Sequence, residues 1–332
     1  MPVMLDSATE LRLNKLLSAL SEYKGSDLHL TIANPPSLRI GGKLQSLANE
    51  PLLTNDFLSN LIRALLTDVQ LQHLELTKDV TTVVTFKGKS RYKLHAYSQQ
   101  GSYSLTFHTI PLTVAPLSRW TIHAAVQQCS QIQKGLIVVA GGYGAGKSTL
   151  VAGLVEELNQ TSAHHIMTFE QPIEFVYTDA QSIVEQVEIG VDIADLQSGL
   201  QRVYQEDIDV VVVNTALDAA GMRTVLHFVE MGKLVILEVM APTVQLALTT
   251  MVGVFHAAEQ ISVRDELAIA IQAVIALQPV DEHGQGPAVA CEVLRQNTAT
   301  INFIKHETFD KIGLLLENGR NDGMITFEQS LR

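Results

Sequence analysis

Gly141-Gly142-Tyr143-Gly144-Ala145-Gly146-Lys147-Ser148-Thr149 is the stretch whose reading decides the fold. It is a complete G-x-x-x-x-G-K-[ST] phosphate loop, and each fixed position has a physical reason. Gly141 and Gly146 are expected to take backbone angles that other residues resist, so that successive N–H groups curl around the phosphates of a nucleotide. Lys147 supplies a positive charge for the β- and γ-phosphates, and the Ser148 hydroxyl is placed to take a coordination site on Mg²⁺. At ordinary residue frequencies the bare pattern arises by chance in about one chain in a hundred of this size. The flanks make chance a poorer account. Gly135 to Ala140 is a short apolar, β-branched run of the kind that forms a buried parallel strand, and Ser148 to Leu158 has helical period and length. Bound ATP with Mg²⁺ is the ligand that this loop implies.

Downstream of the loop, strand-like and helix-like stretches alternate. His165 to Phe169, the fully apolar Val210 to Val213, and Leu234 to Val239 are expected strands, separated by helical patterns near 192–204, 218–231, 243–254 and 262–277. Gly284 to Pro287 is expected to be a turn between strands, and the last stretch to be helical with a break at Gly319 to Gly323. This rhythm predicts an α/β domain over residues 120–332 with a mostly parallel sheet covered on both faces. Upstream the pattern differs. A helix over 11–24 ended by Gly25, strands at 26–32 and 37–40 with a tight turn at Gly41-Gly42, and a helical stretch over 54–76 opened by Thr54 or Asn55 come first. Three strand-like runs, Val80 to Phe86, Arg91 to Tyr97 and Ser102 to Ile110, follow. These predict a smaller α+β domain over residues 1–111, joined through a linker at 112–119.

Bulk properties narrow the classes. The 332 residues carry a formal net charge of −12, which argues against a general nucleic-acid footprint. Two cysteines are too few for a disulfide framework and fit a reducing compartment. The N-terminus lacks a basic region followed by an apolar core, and no apolar run reaches the roughly 18 residues needed to span a bilayer. A cytoplasmic location, with any membrane contact made through a partner, is expected. Adjacent His164 and His165 point to opposite faces of a strand and make a poor metal pair. Glu156-Glu157 is expected on a solvated helix face, Trp120 in packing, and Tyr143 against nucleotide or a neighbouring subunit.

With these residues in place the chain resembles the PilT-type retraction ATPases of type IV pili, within the wider type II/IV secretion ATPase superfamily. The resemblance is collinear over nearly the whole length. Ser26-Asp27-Leu28-His29-Leu30 resembles the family's opening strand, and Phe107-His108-Thr109-Ile110-Pro111 its F-R-T-I-P stretch. His164 to Val176 resembles the acidic box, and Gln272 to Ala276 and Gly323 to Leu331 resemble C-terminal stretches. The resemblance implies a PAS-like N-terminal domain, a RecA-like ATPase domain, and a hexameric ring that binds nucleotide between subunits. It also implies a partner in an inner-membrane pilus or secretion platform, the ring being a homohexamer or a mixed ring with an active relative.

The departures from the family pattern bear most on function. The second acidic motif, E-D-P-D-V-I-L-V-G-E-M-R-D in the family, here runs Glu206 to Asp218 with Thr215 at the glutamate expected to orient or deprotonate water and Leu217 at the arginine. The histidine box, G-H-L-V-F-G-T-L-H-T in the family, runs Gly232 to Ala241 with Lys233 and Met240 at the two histidines. Gln171 stands for an aspartate in the acidic box, though Glu170 and Glu174 remain, and His108, Val187, Thr250 and Ile301 stand for further arginines. A positioned general base is worth about 10² to 10⁴ in rate and a charge-stabilising arginine about 10³ to 10⁵. Threonine is no carboxylate base, and leucine and methionine donate no hydrogen bond. Glu170 and Glu238 are the acids expected to act if hydrolysis survives. Glu170 has the alternative role of holding the water shell of Mg²⁺. Glu238 is a carboxylate within an apolar strand, where an unpaired charge is costly and a partner or a water-filled site is therefore expected. The expectation is thus tight binding of ATP with weak or absent hydrolysis, in an accessory or regulatory role. The alternatives are a working motor with relocated catalytic groups and a scaffold that no longer uses nucleotide.

Overall fold

The computed structural model describes residues 7–86, 88, 90–281 and 287–331. The chain divides into two units, Met1–Leu112 and Thr113–Arg332. Among the described residues no helix is long and apolar enough to cross a membrane.

In the first unit, strands β1 (Asp27–Thr31), β2 (Ser37–Ile40), β3 (Lys43–Ser46), β4 (Asp79–Phe86), β5 (Ser90–Gln99) and β6 (Ser102–Ile110) form one sheet in the order β3-β2-β1-β6-β5-β4. Every pairing in it is antiparallel. Gly41 and Gly42, at φ 53° and 77°, make the two-residue turn between β2 and β3, which suits the right-handed twist of the strands it joins. Leucines of the helix Ser7–Glu22 and apolar residues of the helix Asn55–Leu65 pack with alternate strand residues into one core.

Two sequence expectations change here. The helical stretch 54–76 is two helices, Asn55–Leu65 and Asp68–Thr77. Thr54 caps the first, and Thr67 forms a reciprocal capping box with Gln70 at the start of the second, so local side-chain hydrogen bonds favour a new N-terminus over continuation. The first helix ends at Glu22, and its left-handed residue is Lys24, at φ 50°, rather than Gly25. Gly25 is needed for room: a Cβ there would stand 3.1 Å from the Arg39 carbonyl oxygen.

The second unit holds strands β7 (Gly135–Gly141), β8 (His165–Glu170), β9 (Ile183–Glu188), β10 (Val210–Asn214), β11 (Leu234–Met240), β12 (Ile271–Asp281) and β13 (Pro287–Arg295). Their order is β13-β12-β7-β11-β10-β8-β9, with every pair parallel except β12 with β13. Residues of odd and even number face opposite layers. Ile137 and Val139 of β7, Ile236 of β11 and Val212 of β10 meet the helix Lys147–Thr161 in one core. Val138, Leu237 and Val213 meet the helices Ala219–Glu230, Val244–Gly253 and Gln260–Ala270 in the other.

The helical pattern over 262–277 resolves differently from its expectation. The helix Gln260–Ala270 stops, and β12 begins at Ile271. Ile271 and Ala273 to Leu277 are buried on both faces between β7 and β13, and a continuous apolar run of this kind carries no period that separates helix from strand. Strand β9 is a further element absent from the sequence reading. The expected turn at Gly284 to Pro287 lies, for residues 284–286, outside the described residues. Most of the segment expected as linker is packed into the second unit. Leu117 is fully buried, Trp120 Nε1 donates to the Ala115 carbonyl at 2.8 Å, and the Ser118 amide donates to the Glu157 carboxylate at 2.9 Å. Glu157 is therefore buried with a partner, not part of a solvated face. A Cβ on Gly153 would lie 2.7 Å from the Trp120 ring, so the indole sits where only glycine leaves space.

Candidate nucleotide site

The phosphate loop leaves the carboxyl end of β7 and enters the helix Lys147–Thr161. This strand-end position is where open α/β sheets bind ligands, and the N-terminus of a 15-residue helix favours an anion there. Gly144 and Gly146 stand at φ 70° and 89°, and a Cβ at Gly142, Gly144 or Gly146 would meet nothing within 4 Å. The loop is thus an open concavity that side chains would fill, which fits a phosphate cradle. Gly141 differs from its expectation. Its backbone angle is ordinary, and what it provides is space, since a Cβ there would lie 2.8 Å from Ala145 Cβ and 3.1 Å from Lys147 Cγ. Tyr143 is 80% exposed at the tip of the loop. Thr149 lies in the first turn of the helix.

Lys147 is only 6% exposed. Its ammonium donates to the Gly142 carbonyl oxygen at 2.9 Å, lies 3.6 Å from Met240 Sδ, and pairs with Glu238 Oε1 at 3.6 Å. The other Glu238 oxygen, Oε2, accepts from the Ser148 hydroxyl at 3.2 Å. One carboxylate therefore bridges Lys147 and Ser148, the two side chains of the loop that the sequence pattern assigns to phosphate and metal. Its own side chain is 15% exposed. The local sequence explains the meeting. Strand β11 runs beside β7 with Glu238 level with Val139 and Met240 level with Gly141, and their even numbers direct both toward the loop helix. The partner that an acid in this apolar strand requires is thus Lys147 with Ser148.

Glu170 occupies the end of β8, 5% exposed. Its Oε1 accepts from the Thr168 hydroxyl at 2.7 Å and from Gln186 Nε2 at 3.0 Å. Burial raises its pKa above the usual carboxylate range, the nearby Glu174 charge adds to the rise, and these hydrogen bonds offset only part of it. Glu170 is level with Asn214 of β10. Val213 is level with Leu237, so one step on along the strands sets Asn214 level with Glu238. Val139, Glu238, Asn214 and Glu170 thus form a row across four adjacent strands. At about 4.8 Å per strand, the two acids lie roughly 10 Å apart with Asn214 between them. Thr215 is one residue beyond β10. Among the described residues no group of three or more His, Cys, Asp or Glu could hold a metal. A Mg²⁺ ion here would be held by Ser148 and the phosphates it accompanies, and these hard oxygen donors fit that ion.

Sequence reasoning singled out the loop, Glu170 and Glu238, which the structure places at one end of the sheet, but missed Gln186, which anchors Glu170. The signal was present in Ile183-Val184-Glu185-Gln186-Val187, whose outer and inner positions alternate. Adjacent His164 and His165 do diverge, His164 lying 3.8 Å from Asp209 and His165 3.5 Å from Glu185.

Comparison with known proteins agrees with this fold. Residues 104–308 match the family model described as "Type II/IV secretion system protein". The chain is 28% identical to the type IV pilus retractation ATPase PilT of Pseudomonas aeruginosa, over 96% of its own length and 93% of that protein. It is 29% identical to the uncharacterized protein YggR of Escherichia coli, over 96% and 97% respectively. The crystal structure of the pilus retraction motor PilT with bound ADP superposes with a TM-score of 0.77 at 28% identity, covering 95% of each chain.

Proposed function

The chain belongs to the type II/IV secretion system protein family, and from that premise we propose that it captures ATP with Mg²⁺ at Gly141 to Thr149 and hydrolyses it weakly or not at all. In this reading it is an accessory or regulatory member of a type IV pilus or secretion motor. It acts in the cytoplasm as a homohexamer or within a mixed ring, and meets the membrane through a platform protein. Its likeness to PilT supports the setting.

The observation that carries the reading is the contrast along one edge of the sheet. The phosphate cradle is open and complete, with Lys147 and Ser148 in place. The strand ends beside it present Thr215, which is no carboxylate base for the attacking water, and Met240, which donates no hydrogen bond to a developing negative charge. The two nearby acids are engaged otherwise. Glu238 has one oxygen on Lys147 and the other on Ser148, and Glu170 is buried on Thr168 and Gln186. Binding draws on the loop and the helix end alone, so capture and cleavage separate.

The test is Mg-ATP binding and steady-state phosphate release by the purified full-length chain. Expected are saturable binding that Lys147→Ala abolishes and turnover near background. Turnover at the rate of a working motor, lost in Thr215→Ala or Glu238→Gln, would instead support relocated catalysis. Absence of ATP binding would leave only the scaffold reading.

A further inference from the structure

We infer that Glu238 makes nucleotide capture by this chain conditional on a divalent cation, by occupying the lysine and the hydroxyl of the loop until a metal turns its carboxylate from competitor into ligand. The inference rests on the proposed nucleotide site and concerns its regulation. Two facts carry it. Glu238 Oε1 lies 3.6 Å from Lys147 Nζ, and Glu238 Oε2 takes the Ser148 hydroxyl at 3.2 Å. An incoming phosphate without metal would therefore share one ammonium with a resident carboxylate of its own sign. A divalent cation reverses this relation. Ser148 Oγ and a Glu238 oxygen are neighbouring hard donors of the kind Mg²⁺ takes alongside phosphate oxygens, and a cation between them cancels the repulsion that the anion would meet.

The site is partly closed, with Lys147 and Glu238 side chains 6% and 15% exposed, so the carboxylate acts on the phosphate with limited screening. Unit charges about 4 Å apart in such surroundings change an affinity by about one to three decades. Glu170 does not supply the same effect, because in the row across the sheet it stands two strands further from the loop, beyond Asn214.

The experiment measures equilibrium binding of ATP to the full-length chain in excess chelator and in saturating Mg²⁺, for the wild type, Glu238→Gln and Glu238→Asp. The wild type is expected to bind at least about 100-fold more tightly with Mg²⁺ than without. Glu238→Gln, which keeps the acceptor for Ser148 but removes the charge, is expected to bind metal-free ATP at least about tenfold more tightly than wild type, shrinking the metal effect by the same factor or more. Glu238→Asp keeps the charge and should retain the wild-type metal dependence. Equal metal-free affinities for wild type and Glu238→Gln, or an Asp variant that behaves like the Gln variant, would overturn the inference while leaving nucleotide capture intact. A wild type that binds no ATP in either condition would defeat the capture reading itself, and the inference with it.

Discussion

Replacing Lys147 with methionine is expected to destabilise the chain even when no nucleotide is offered. The ammonium removed lies 3.6 Å from Glu238 Oε1 and 2.9 Å from the Gly142 carbonyl oxygen. At an effective dielectric constant near 20, unit charges at that separation attract by about 4.6 kcal/mol. Removing lysine also removes its own cost of burial, and the Glu238 side chain keeps 15% of its exposure, so the net loss should be about 1–3 kcal/mol. For a unit of this size that lowers the melting temperature by about 2–10 °C. The assay is thermal unfolding in chelator without nucleotide, for Lys147→Met, Glu238→Gln and the double variant. If the pair is the cause, the double variant should recover most of the loss, giving a coupling of about 1–3 kcal/mol. Single losses that simply add, or a Lys147→Met variant as stable as wild type, would show that the two side chains do not act as a pair.

Two other tests probe the frame around the site. Gly153→Val should push a branched side chain into the Trp120 ring, where a Cβ alone would stand 2.7 Å away, destabilising the second unit by about 1–3 kcal/mol. Because Trp120 is the only tryptophan in the chain, its emission should shift to the red, and an unchanged spectrum would contradict the packing. Glu170→Gln should show a pH-dependent difference from wild type. The folded pKa of Glu170 is raised, so the stability it contributes is fully present below its unfolded value and is lost as pH rises through the folded one. Denaturation midpoints should therefore move in favour of the glutamine variant as pH increases above about 4.5, the ordinary glutamate value. A gap independent of pH would remove the case for a buried, reluctantly ionised acid.

The sequence was informative wherever one residue type had one physical use. Gly146 with Lys147 and Ser148 at the start of their helix, the unbroken valines of β10, and the Gly41-Gly42 turn take the structures expected of them. It was uninformative where two structures satisfy the same pattern. Ile271 to Leu277 is apolar without period, so burial on both faces of a strand looked like a helix. Glu157 looked solvated because its partner, the Ser118 amide, belongs to a segment expected to be a linker. Thr67 to Gln70 contains a capping signal that was overridden by continuous helical periodicity on either side. For the site, the strands could be named from sequence but their order could not. The partners of Glu238 depend on β11 lying next to β7, with Glu238 level with Val139. That contact joins residues about ninety positions apart, beyond the reach of any local pattern.

The notch at Gly153 has a mechanical consequence. With the indole of Trp120 seated there, its ring nitrogen tethered to Ala115 and Ser118 held by Glu157, the backbone from Ala115 to Trp120 is pinned within the second unit. Both of these anchors, Gly153 and Glu157, belong to one helix, Lys147–Thr161. A displacement of that segment would therefore be felt along the flank of the helix whose opening turn carries Lys147 and Ser148.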